Sequence, residues 1–477
     1  MFETGVRQIR MAVGMVTGRR LSTRNLSKLV DDAVATIAEF GEPGTDAQTL
    51  LGGPMGDPQE QLEFANHGLR RTARRLSARS PFYARRFAAA DGEPGNLDIA
   101  ALRAIPVTTK RDLIERPADF LCDDTPRYLS TRTTGTTGRP AEIWLSRYEI
   151  DLWAALGALA SIIRDELRPT DVYQLNVSSR AIAATHLAAA TCRLARTGCR
   201  LVGILPPEDA VDSLCEGEVT LMLTYPSYLA ELVTTARRRG LEPGDFKLRR
   251  ITVGGEVLSP SLAEAACRTF GVPRIDDTFS MTEVIPVSGR TCSQDHLHID
   301  LNTGHVELLD LVTGEPAEPG ALGTLVITPY FPYRDCMPVF RYDTRDIVRC
   351  LPAEALTCEN SAIPATSQVL GKAGSLITLG NGDVITPRQL INAIEALPAQ
   401  PWPARYAAAE CDGRLRLTLT EAAIAGYGEA ATRRHLAEAG IEADLMVVGD
   451  EQAGLLRRTR SDLHETSFAA PQALIGA

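Results

Sequence analysis

Between Pro106 and about Asp346, short apolar runs alternate with Ala/Leu-rich stretches whose apolar residues recur at helical spacing. The runs "VYQLNV", "RLVGIL", "VTLMLTY", "RRITVGG" and "GTLVITPY" predict strands. The stretches "DLWAALGALASIIRDEL", "AATHLAAATCRLART" and "PSYLAELVTTARRRG" predict helices between them. Such alternation argues for an α/β fold with largely parallel sheets. Upstream, "EQLEFANHGLRRTARRLSARSPFYARRFAAA" interleaves apolar residues with arginines at helical spacing, predicting one amphipathic helix or a pair.

The texture changes near residue 370. There "GKAGSLITLGNGDVITPRQLINAIEALP" reads as strand, Gly-Asn-Gly turn, strand and helix, followed by "RLRLTLT", a helix around Ala430 to Ala439, and "ADLMVVG". This predicts a small α+β module behind a large α/β body. The expected division is a variable lead-in over 1–57 closing on "LGGPMGDP", a large domain over 58–370 and a small mobile domain over 371–477.

Composition narrows the functional classes. A chain of 477 residues is too long for one hydrophobic core, which agrees with that division. The net charge of −10, without a basic stripe, argues against a nucleic-acid partner. The apolar run "MAVGMVTG" near the start is too short for a membrane span or a signal peptide. Ten scattered cysteines lack the density of a secreted disulfide scaffold, so reduced thiols in a cytoplasm are the expectation. Lysine occurs only at Lys28, Lys110, Lys247 and Lys372, leaving none in the C-terminal tail.

Chemistry concentrates first in "STRTTGTTGRP", Ser130 to Pro140. Glycines permit close backbone approach and threonines add hydroxyl donors, so the stretch suits an anion-binding nest of amides and hydroxyls. None of the four lysines stands in a Walker A context, and the glycine spacing does not fit a dinucleotide fingerprint.

This stretch resembles the phosphate loop of the adenylate-forming superfamily, [ST]-[ST]-G-[ST]-T-G-x-P. "DTFSMTEV" is similar to its aromatic-G-x-T-E motif, "YDTRD" resembles Y-x-T-G-D, and "GKAGSLITLGNGDVITPRQL" resembles its hinge and the opening of its small domain. Within the superfamily, "SPFYARRF", "IPVTTKRDL", "TYPSYLAEL", "VGGEVLSPSL" and "MPVFRYDTRDIVR" resemble the phenylacetate-CoA ligase branch. The resemblance implies ATP-dependent adenylation of a carboxylic acid, with an amino- or hydroxybenzoate-like aromatic acid favoured by the branch.

By that resemblance Thr133, Thr134, Gly135, Thr136, Thr137 and Gly138 would cradle the ATP phosphates, with Arg139 adding charge. Glu283 would hold Mg²⁺, Thr282 would touch the α-phosphate and Asp346 would accept the ribose hydroxyls. Gly254, Gly255 and Glu256 would flank the adenine and acyl pocket; Tyr225, Ser227, Phe279, Ser280 and Met281 are candidate pocket walls. Some relatives carry zinc, and Cys292, His298, Cys350 and Cys358 would be the corresponding S/N set, although Cys350 and Cys358 lack the usual close spacing. A homodimer is a family expectation.

Two departures stand in the small domain. The family's C-terminal lysine is missing; Arg457 and Arg458 are the candidate substitutes, although a planar guanidinium does not reproduce an ammonium point charge. The hinge motif G-R-x-D reads Gly371, Lys372, Ala373, Gly374, which places Lys372 where an arginine is usual. Three readings therefore remain: acyl transfer to CoA, transfer to a carrier-protein thiol or to an amine or hydroxyl of a second small molecule, and a non-catalytic nucleotide-binding homologue.

Overall fold

The computed structural model describes residues 2–40, 57–90, 93–133, 140–178, 181–361, 363–398 and 401–456. Its centre is an eight-stranded sheet. Strands Val172–Leu175, Gly198–Leu201, Leu221–Thr224, Arg250–Gly254 and Ile275–Ser280 run parallel. Ser288–Thr291, His296–Ile299 and Ala365–Ser367 then continue the sheet antiparallel. Parallel neighbours need long crossovers, and the helices Ile182–Ala195, Pro207–Glu216, Pro226–Arg238 and Pro260–Phe270 provide them. The sequence pattern anticipated the first four of these strands and the helices Ile182–Ala195 and Pro226–Arg238; the strand in "RLVGIL" lies two residues earlier than that run begins, over Gly198–Leu201.

Alternation along the strands divides the two faces of this sheet. Met222, Ile251 and Val253 pack with Leu229, Val233, Leu262 and Phe270 of the crossover helices in one apolar core. Their strand neighbours face the other way, towards the helix Arg147–Ile163. A Ser146/Glu149 capping box starts that helix, and Trp153 Nε1 donates to Tyr333 O at 2.7 Å.

A second, antiparallel sheet joins Gly304–Asp310, Leu322–Pro329, Tyr342–Arg349 and the short strand Gly371–Lys372. The arginine-rich stretch after residue 57 forms two helices, Pro58–Arg79 and Pro81–Ala89, because Ser80 caps the first and Pro81 opens the second. The lead-in also contains helices, Phe2–Thr17 and Thr23–Phe40. Leu26 and Leu29 of the latter enter the main core, and Arg20 ion-pairs with buried Asp335 at 2.5 Å.

Residues beyond 370 build a separate apolar core around Leu390, Ile394, Leu417 and Leu436. Its three-stranded sheet pairs Ala407–Cys411 antiparallel with Arg414–Thr420, and the latter parallel with Ala443–Val448. The helix Glu429–Glu438 makes the parallel crossover. No described helix is long and apolar enough to cross a membrane, and all ten cysteines are free thiols.

Candidate active site

The parallel strand Ile275–Ser280 ends where "MTEV" begins, and the chain turns there: Val284 N–H and Ile285 N–H both donate to Met281 O. Ligands of open α/β sheets gather beyond the carboxyl ends of such strands. The turn places Glu283 in a buried position against Tyr342, whose hydroxyl donates to Glu283 Oε1 at 3.3 Å. Burial first, and then the Glu283 charge, raise the Tyr342 pKa far above that of a free phenol, so Tyr342 stays protonated and serves as a donor.

Tyr342 opens the strand that carries Asp346. The pairing register of this strand with Leu322–Pro329 shifts between Thr324 and Val326, and opposite the shift Arg345 sits at φ +56°. The related motif has glycine there, for which the left-handed region carries no steric cost. Asp343 Oδ1 accepts from Arg345 N–H at 2.9 Å and steadies the turn. Beyond it Asp346 is buried, and Lys372 Nζ donates to its Oδ2 at 2.7 Å and to Thr344 O at 3.1 Å. Lys372 is held there by backbone pairing with Asp346. Gly371, at φ +139°, precedes it; a Cβ would lie 2.5 Å from the Pro387 ring.

Gly254 closes its strand with no room for a side chain, since a Cβ would stand 2.9 Å from Thr278 O. Gly255 follows at φ +80°. Glu256 reaches the start of the helix Pro226–Arg238, accepting from Ser227 N–H at 2.8 Å and Ser227 Oγ at 3.0 Å, where a carboxylate meets the positive end of the helix dipole. Tyr225 accepts from Ser178 N–H at 3.3 Å. Phe279 is buried, while Ser280 is exposed and Thr282 and Met281 are half-buried.

Of the phosphate loop, Thr133 alone is among the described residues; its N–H donates to Ala141 O and its hydroxyl accepts from Ala141 N–H, both at 3.0 Å. Thr134, Gly135, Thr136, Thr137, Gly138 and Arg139 lie outside the described residues, as do Arg457 and Arg458.

A second cluster sits at the sheet's antiparallel edge. Cys292, His296, His298 and Cys358 bring four ligand atoms within 4.8 Å of one another. Sequence reasoning named Cys350 in this set; instead Cys350 forms a backbone bridge with Thr366, and His296 takes the fourth place. The period of a strand explains the exchange, because His296 and His298 are two residues apart and face the same side. The "HLH" spacing carried that signal. The His298 ring closes on Ile363 O through Nδ1 at 3.0 Å and on Cys358 Sγ through Nε2 at 3.3 Å. Cys292 Sγ accepts from the N–H groups of Gln294 and His296, each at 3.4 Å. His296 Nδ1 is buried with no hydrogen-bond partner. Two sulfurs and two imidazoles, one with an orphaned nitrogen, fit a tetrahedral zinc ion.

The chain matches the family model of the AMP-binding enzymes over residues 110–330. It is 27% identical over 290 residues to the phenylacetate-coenzyme A ligase of Pseudomonas putida, a match covering 58% of this chain and 63% of that enzyme. The match thus spans less than two thirds of that relative's length. It is 25% identical over 329 residues to the Escherichia coli K12 phenylacetate-coenzyme A ligase, covering 65% and 70% of the two chains. Among solved structures, 2-hydroxyisobutyryl-CoA ligase in the postadenylation state, in complex with R3-HIB-AMP, has a TM-score of 0.69 at 19% identity, covering 82% of this chain and 86% of that one. At that identity the likeness is one of fold.

Proposed function

We propose that this protein is an ATP-dependent acid ligase that converts a carboxylic acid to its acyl adenylate and passes the acyl group to coenzyme A. The observation that carries this reading is the line Glu283, Tyr342, Asp346, Lys372, in which one strand links two acidic groups of the nucleotide motifs beyond the carboxyl end of the parallel sheet. The similarity to phenylacetate-coenzyme A ligases supports CoA as acceptor, and the same branch favours an aromatic acid.

In this reading the reaction needs positioning and charge neutralisation more than covalent help. The hydroxyls and amides of residues 133–138, with Arg139, receive the phosphates. Glu283 offers the hard oxygen that would hold magnesium, and that ion when bound supplies neutralising charge at the phosphates. Asp346 accepts the ribose hydroxyls while Lys372 offsets the cost of keeping its carboxylate ionised in a buried position. Thr282 addresses the α-phosphate, and Arg457 or Arg458 supplies the charge that a tail lysine gives elsewhere. Cys292, His296, His298 and Cys358 hold a structural zinc, and residues 371–477 act as the mobile domain.

A second reading concerns only the acceptor. Gly374 replaces the hinge aspartate and the tail has no lysine, so the departures fall in the domain that prepares the second half-reaction; a carrier-protein thiol or a small amine or hydroxyl is the alternative. ATP–pyrophosphate exchange with a panel of carboxylic acids tests the first half-reaction. Thr137→Ala or Glu283→Ala exchanging as fast as the parent would sink the site assignment. CoA-dependent product formation then decides the acceptor, and alanine at both Arg457 and Arg458 is expected to slow single-turnover adenylation.

A further inference from the structure

The sheet face opposite the crossover-helix core borders a cavity of about 2040 Å³. Ordinary small-molecule pockets occupy roughly 300–1,000 Å³. Of the five pocket-wall residues named from the sequence, only Ser280 lines it, two residues before Thr282 in the chain. Thr278, the next residue on that face, also lines it, about 7 Å further along the strand. Its partner on the neighbouring strand is Arg290, which faces the same cavity.

The cavity's charges are mostly paired. Arg290 is held by Glu166, with Nη2 3.0 Å from Oε2. Arg250 and Arg274 both pair with Asp276. Asp300 accepts from Asn302 N–H at 2.9 Å, and burial raises its pKa. Arg164, just past the helix Arg147–Ile163, is an exception. Arg164 lines the cavity, and among the described residues its side chain has no hydrogen-bond or ion-pair partner; Asp300 reaches it only through space. Burial lowers its pKa, the mark of a cation deprived of water without a compensating contact.

A guanidinium with five donors, held in a cavity that begins beside the adenylation motif, is suited to a planar anion on a bound ligand. We propose that the acid activated here carries a second anionic group, a carboxylate or its equivalent, which Arg164 receives as the specificity-determining residue. The proposal rests on the adenylation reading above and names its substrate class.

Pyrophosphate exchange with matched pairs tests it: α,ω-dicarboxylic acids against monocarboxylic acids of equal chain length, and terephthalate against benzoate. The parent is expected to favour the diacid in at least one pair by about tenfold or more in kcat/KM, mainly through KM, the size of one charge-assisted contact. Arg164→Gln is expected to collapse that ratio and Arg164→Lys to retain most of it. A parent that prefers the monoacid in every pair, or an Arg164→Gln ratio equal to the parent's, overturns the proposal. Exchange with monoacids alone defeats this inference and leaves the adenylation reading standing; no exchange with any acid defeats both.

Discussion

Lys372 Nζ lies 2.7 Å from Asp346 Oδ2, so the first residues of the C-terminal region complete the charge balance of a buried carboxylate in the preceding sheet. Removing either partner leaves the other charge buried without compensation. Asp346→Ala is expected to reduce kcat/KM for ATP by about tenfold to a hundredfold, and Lys372→Met by a smaller factor, both read in pyrophosphate exchange. Parent-like kcat/KM for ATP in Asp346→Ala would remove Asp346 from the nucleotide site.

Tyr342 donates to Glu283 and thereby fixes the carboxylate's orientation. Tyr342→Phe keeps the ring in its buried place and deletes only the donor. The expected loss is on the order of 1 kcal/mol, a few-fold in exchange rate, with a raised magnesium requirement. An unchanged magnesium titration would show that the hydroxyl does not tune this site.

The Cys292/His296/His298/Cys358 cluster predicts one zinc per chain in metal analysis of the purified protein. His296→Ala is expected to lose the metal and lower Tm by several degrees, since closed zinc sites contribute directly to folding. Cys350→Ser, which changes a thiol outside the cluster, is expected to keep it. Loss of zinc from Cys350→Ser with retention in His296→Ala would reverse the assignment.

Glu395, on the helix Pro387–Glu395, is buried where its carboxylate accepts from Ser259 Oγ, the cap of the helix Pro260–Phe270. Burial pushes its pKa up to about 7, against an ordinary value of 4.5. The folded chain therefore holds this proton longer than the unfolded one, and the resulting stability is lost as pH rises from about 4.5 through about 7. The span amounts to on the order of 3 kcal/mol. Denaturation midpoints between pH 5 and 8 are expected to fall with pH in the parent, and Glu395→Gln is expected to flatten the trend. Parallel profiles for the two proteins would rule Glu395 out as the source.

The alternation of apolar runs and helical stretches made the parallel sheet legible, because a strand buried on a sheet face and a crossover helix each impose their own period. The helices Phe2–Thr17 and Thr23–Phe40 were not read from the lead-in, where arginines and glycines break up the apolar positions. Arg345 shows the opposite case: its place in "YDTRD" aligned with a glycine, and its φ of +56° is the conformation that glycine marks.

Local order in the sequence determined which residues are candidates for nucleotide chemistry, since the motifs "TTGTTG", "MTEV" and "YDTRD" are each short, continuous stretches of the chain. Tertiary structure alone decided their partners. That Lys372 balances Asp346, that His296 and not Cys350 completes the sulfur–nitrogen cluster, and that Arg164 faces a cavity beginning at Ser280 all depend on sheet register and crossover packing. Register joins residues distant in the chain, and no local spacing encodes it.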